Sequence, residues 1–131
     1  MLLLFIVVLV FDGSGSGDSG RLKGYINGVE QTLSYTGTIP ATTAAPNRAF
    51  RIGDQHVGNG LIGNISNAAI FNSALTSTQV STLFNFGTPE TAISFSPTSW
   101  WKLDNLTTGL LDSGSASNNG TNNGATDATT S

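Results

Sequence analysis

The chain has 131 residues, of which 38% are hydrophobic and 10% charged, and a formal net charge of −3. That length holds one domain at most, and a charged fraction far below the usual quarter leaves the surface to uncharged polar residues. The five cations are scattered, Arg21 near Lys23, Arg48 near Arg51 and Lys102 alone, so no basic stripe marks a nucleic-acid partner. Without cysteine there is neither a disulfide framework nor a thiolate metal site. Gly, Ser, Thr and Asn fill the composition instead, which suits short strands and turns better than helices.

Residues 1–11, MLLLFIVVLVF, are uniformly apolar. They read as a fully buried strand that ends at the turn Asp12-Gly13. A signal sequence and a membrane anchor are the alternatives. The stretch has the length of a signal-peptide core, but no Lys or Arg precedes it and no small-residue cleavage site follows. A membrane span needs roughly 20 apolar residues, and Asp12 interrupts this run.

Residues 13–20 are Gly and Ser with one Asp and read as a flexible loop. Residues 22–26 and 29–35 are predicted strands, joined by Asn27-Gly28, because a two-residue type I′ turn needs positive φ at both positions. After a Thr, Ala and Pro loop over 36–47, a short strand is predicted at 49–53 and the longest one at 61–71. A short helix is expected near 77–85. Thr76 and Gln79 have the spacing of a capping box, and Val80, Leu83 and Phe84 fall on one helical face. Gly87 is the expected left-handed stop and Pro89 bars resumption. Residues 88–98 read as a linker, 99–103 as a final strand, and the last dozen residues as loosely ordered.

Several segments in order resemble the laminin-G-like jelly rolls of the concanavalin A-like lectin/glucanase superfamily. They are Val10-Phe11-Asp12-Gly13, Tyr25-Ile26-Asn27-Gly28, Ile52-Gly53, Gly63-Asn64-Ile65, Phe71-Asn72-Ser73-Ala74-Leu75-Thr76, and the Leu83-Phe84 and Gly87 close. The resemblance implies an all-β, antiparallel β-sandwich, partial, with one short helix. Residues 1–87 match the second half of such a domain, and 99–131 resemble the opening of a further repeat through Ser99-Trp100-Trp101-Lys102-Leu103-Asp104. It further implies an adhesion or structural role on a phage particle or cell surface, in an extracellular or virion setting, with glycan and neighbouring repeats as partners and no membrane or nucleic acid. Family members often carry an acidic pair where Ser66-Asn67 stands here. In these jelly rolls the first and last strands lie side by side, so 99–103 is expected to pair with 61–71 and to bury one of its two Trp rings.

A glucanase would need two carboxylates facing one sugar ring. The only glutamates, Glu30 and Glu90, lie far apart in turn or linker contexts, and no strand carries two acids at alternate positions, so no enzyme is expected. His56, the single histidine, has only Asp54 nearby and reads as a loop residue. Gly13-Ser14-Gly15-Ser16-Gly17 has the outline of a nucleophile elbow but no helix to follow it. Calcium would take clustered oxygens, and Asp12, Asp18 and Asp54 are the candidates if their loops converge. Trp100, Trp101 and Tyr25 are the candidate sugar-stacking side chains; against that, adjacent strand residues face opposite ways, and a Trp is most often core.

Overall fold

The computed structural model describes residues 5–45, 49–53, 60–85 and 93–128. Its strands form small antiparallel sheets, and helices are few. Two compact units are present. One comprises Met1–Ala45 with Ser73–Ile93, the other Pro46–Asn72 with Ser94–Ser131.

The first unit grows from one hairpin. Strands β1 (Val7–Phe11), β2 (Leu22–Ile26) and β3 (Val29–Gln31) form a sheet in the order β1-β2-β3. Asn27 and Gly28 make the expected two-residue turn, with φ of 52° and 79°, and Ile26 pairs with Val29. Asn27 also extends the ladder: its Oδ1 accepts from the Ile6 amide at 3.0 Å, while its own amide donates to the Ile6 carbonyl at 2.9 Å. The strand expected at 29–35 ends after Gln31.

The apolar N-terminal stretch does form a strand over Val7–Phe11, but not a fully buried one. Val7 and Leu9 are 69% and 71% exposed, whereas Val10 is buried. Alternation explains the difference. Val7 pairs with Ile26, which pairs with Val29, and this row shares an exposed face with Phe5 and Leu9. The opposite face carries Val8, Val10 and Tyr25.

The Gly/Ser segment expected to be a flexible loop contains a helix, α1 (Gly17–Arg21). Polar ties hold it, not propensity. Asp12 accepts from both the amide and the hydroxyl of Ser14, and its amide donates to the Arg21 carbonyl. Asp18 Oδ1 accepts from the Ile39 amide at 2.8 Å, and Arg21 Nη1 donates to the Ile39 carbonyl at 3.0 Å.

Helix α2 (Ser77–Phe84) has both arms of the capping box: Thr76 Oγ1 accepts from the Gln79 amide, and Gln79 Oε1 accepts from the Thr76 amide. Val80 is completely buried. Asn85, at φ 39°, supplies the left-handed stop expected of Gly87, which lies outside the described residues, as does Pro89.

In the second unit, β4 (Ala68–Ile70) pairs antiparallel with β5 (Ser99–Trp101), Ala69 opposite Trp100 and Ala68 opposite Trp101. The expected pairing of these segments is therefore present, in shorter form. The strand expected over 61–71 is confined to its end because Asn67, at φ 56°, breaks the extended path just before Ala68. No strand forms at 49–53: Gly53 turns with φ 85° and its carbonyl accepts from the Leu61 amide.

The turn tip fits tightly against α2. A Cβ added to Gly28 would lie 3.3 Å from Phe84 Cβ and 3.4 Å from Ser81 Cα, at a backbone conformation β-branched residues resist. Gly28→Val is expected to cost about 1–3 kcal/mol in urea denaturation. A loss below about 0.5 kcal/mol, the range of ordinary surface changes, would show that the turn tolerates another conformation.

Candidate functional site

Strand alternation and the hairpin register put Lys23, Tyr25 and Glu30 on one face of the first unit's sheet. Lys23 and Tyr25 are two apart on β2 and share a face, and Glu30 on β3 stands directly opposite Tyr25. Glu30 thus lies in a strand, not in the turn context read from the sequence. A cavity of about 390 Å³ opens here, lined by Ser19, Lys23, Glu30, Gln31, Thr32, Leu33 and Tyr35.

Its wall is fixed from behind. Tyr25 is buried, and its Oη donates to Glu30 Oε2 at 3.0 Å. Burial pushes the Tyr25 phenol above its ordinary pKa of 10.0, and the hydrogen bond to the Glu30 carboxylate and its charge push the same way, so this donor keeps its proton at neutral pH. Tyr35 Oη donates to the Leu22 carbonyl at 2.8 Å, and Gln31 Nε2 donates to the Val29 carbonyl at 2.9 Å. Ser19 comes from α1, whose position depends on the Asp18 and Arg21 contacts to Ile39. The hydroxyls of Ser19 and Thr32, the Lys23 ammonium, Glu30 Oε1 and Gln31 Oε1 have no hydrogen-bond partner among the described residues. They are available to a ligand.

The sequence did not single out this group, although the signal was there: a two-residue turn fixes the register, and the register puts Glu30 across from Tyr25. Of the candidate sugar-stacking residues, Tyr25 belongs to this unit, where it supports the cavity through Glu30.

Trp100 and Trp101 lie in the second unit, and both are buried, at 7% and 6% exposure. The expectation that one ring would be the more exposed is overturned, because each face of the short β4–β5 ladder has its own cover. Phe50 stacks on Trp101 with ring centroids 5.8 Å apart. Lys102 Nζ lies 5.2 Å from the Trp100 ring centroid. Each indole donor is satisfied, Trp100 Nε1 by Asn67 Oδ1 at 3.0 Å and Trp101 Nε1 by the Asn118 carbonyl at 2.8 Å. Asn67 therefore serves as an indole acceptor.

Asp112 ties this aromatic strand to the following loop. Its Oδ1 accepts from the amides of Trp100 and Gly114, and its Oδ2 from that of Asn118, all at 2.8 Å. Burial pushes its pKa up, but the amides of Trp100, Asn118 and Gly114 and the Ser99 hydroxyl outweigh it and hold the pKa below the ordinary 3.8. Gly114 must remain glycine here, since a Cβ would meet the Thr98 carbonyl oxygen at 2.5 Å and Ser99 Cα at 2.6 Å.

The calcium candidates have other duties. Hydrogen bonds from the Ser14 hydroxyl and amide hold Asp12 below the usual carboxylate range against slight desolvation, with help from Lys23. Asp18 accepts from Ile39. Asp54 and His56 lie outside the described residues, as do Arg48 and Glu90. Among the described residues no three His, Cys, Asp or Glu side chains gather as a metal site, and no helix is long and apolar enough to cross a membrane.

Comparison with protein-family models, with curated proteins and with solved structures yields no match to this chain.

The Asp112 geometry sets an acid sensitivity. A depressed pKa means the folded state binds the proton less well than the unfolded chain. The carboxylate's stabilisation is complete above about pH 3.8 and disappears as pH falls through the lower folded value. Tryptophan emission followed during acid titration should shift red in that window. Asp112→Ala should lose about 1–3 kcal/mol at neutral pH, the cost of unsatisfied donors, and lack that share of the acid transition.

Proposed function

We propose that the chain is a non-catalytic laminin-G-like β module of a larger structural or adhesion protein, and that it binds glycan through the cavity beside the hairpin. The observation that carries the glycan reading is the cavity lining: polar groups of Ser19, Lys23, Glu30 and Thr32 that make no hydrogen bond among the described residues, beside the apolar surfaces of Leu33 and Tyr35. Sugars present hydroxyls at their rims and C–H groups on their faces, so this mixture of donors, acceptors and aromatic surface suits them.

The module reading, and with it the jelly-roll sandwich, draws support from the exposed row Phe5, Val7, Leu9, Ile26 and Val29. A sheet with one apolar face open to water is what a single layer of a sandwich presents when its second layer is elsewhere. An extracellular or virion-surface setting on a phage particle or cell accords with the low charge and the Ser, Thr and Asn surface. Glu30 as the single strand glutamate of the cavity, engaged by Tyr25, supports a binding role over hydrolysis, which needs a second carboxylate across the ring.

A purely structural spacer is the second reading. It is favoured by the packing roles of Trp100 and Trp101, whose rings are buried instead of offered to a ligand. An array of neutral, sialylated and sulfated glycans probed with the intact chain decides between them. Retention of at least one glycan class, weakened about tenfold or more by Thr32→Val, is expected, since a lost buried hydrogen bond to a ligand costs about that much. Binding of no glycan at millimolar concentration would leave the spacer reading.

A further inference from the structure

We infer that the hairpin cavity selects uncharged saccharides and excludes sulfated or carboxylated ones. This inference rests on the glycan reading above and names the ligand's charge class. The cavity holds one cation and one anion, Lys23 and Glu30, on the same face of adjacent strands. They form no ion pair with each other among the described residues, Lys23 also acts on the Asp12 carboxylate, and the two lining charges sum to zero.

Glu30 decides the selectivity. Tyr25 is buried, and its hydroxyl grips Glu30 Oε2, so the carboxylate is not free to swing away from an approaching anion. Its other oxygen, Oε1, has no partner and is an acceptor only. A sugar hydroxyl can donate to it. A sulfate or carboxylate cannot, and meets a fixed like charge, the kind of repulsion that gives binding sites their specificity. Lys23 does not reverse the balance. As a single flexible point charge it lacks the planar fork with which arginine holds such groups, and no second cation lines the cavity among the described residues. Lys23 instead donates to sugar oxygens, while the Thr32 hydroxyl can accept as well as donate.

The test compares paired ligands by isothermal titration of the intact chain. The probes are neutral tetrasaccharides of glucose, galactose and N-acetylglucosamine, and the same tetrasaccharides carrying sulfate. The expected result is that at least one neutral form binds about tenfold or more tightly than its sulfated partner. Glu30→Gln, which keeps an acceptor for Tyr25 but removes the charge, should erase most of that preference. Lys23→Met should weaken the neutral ligand and weaken the sulfated one at least as much. Circular dichroism on each variant establishes that it is folded. Equal or tighter binding of the sulfated forms by the wild-type chain overturns the inference while leaving the glycan reading intact. So does a preference for the neutral forms that survives in Glu30→Gln. Failure of every tetrasaccharide, together with an array free of any bound glycan, removes the glycan reading and this inference with it.

Discussion

A strand of three residues leaves much of its backbone without ladder partners, and each buried donor or acceptor left unpaired costs about 1–3 kcal/mol. Three of the five strands among the described residues have that length. The chain meets the requirement with short polar side chains that bond to the backbone where the ladders stop. Asn27 continues β1–β2 pairing to Ile6. Asp18 receives the Ile39 amide. Asp112 receives three amides around β5. Asn105 Oδ1 closes the loop after β5 by accepting from the amides of Thr107 and Thr108. The abundance of Asn, Asp, Ser and Thr thereby has a structural cause: these residues favour turns because their side chains compete for backbone groups, and here the competition serves the fold.

Burial of the tryptophans follows from the same economy of secondary structure. A two-stranded ladder has little surface of its own, so large rings must cover it. Facing alanines, Ala69 against Trp100 and Ala68 against Trp101, leave room for this. Each ring removes roughly 150–250 Å² from water, worth about 4–6 kcal/mol at 25 cal/mol per Å² before ordering costs. A side chain this valuable to a small core is poorly suited to double as an exposed lectin platform.

The parts legible in the sequence are those whose signals are local. Asn27-Gly28 specifies its own turn, and Thr76 with Gln79 specifies its own helix start. The pairing of Ser99–Trp101 with Ala68–Ile70 was expected from the sequence although no local signal specifies it. What escaped depended on contacts distant in sequence. Helix α1 forms in a Gly/Ser segment because Asp18 and Arg21 both reach Ile39, a partner about twenty residues away that no local pattern announces. The second cover on the Trp pair, Phe50, likewise comes from a segment read as a strand. The cavity is intermediate: the register that sets Glu30 on the face of Lys23 and Tyr25 could be written down, yet the hydrogen bond from Tyr25 that orients Glu30 appears only in three dimensions.

The candidate site and the turn are one construction, and this bears on how a binding surface could arise in so sparely charged a chain. Without Asn27-Gly28 the strands could slip by one residue, and a one-residue slip sends every side chain to the other face. Glu30 would then leave the face of Lys23 and Tyr25, and the apolar row of Val7, Ile26 and Val29 would be broken as well. A single turn therefore fixes the polar face that a ligand can meet and the apolar face left for another layer. Selection for either property maintains the other. The same residues would be kept if the module only packs into a larger assembly, so the hairpin register by itself is neutral between binding and scaffolding.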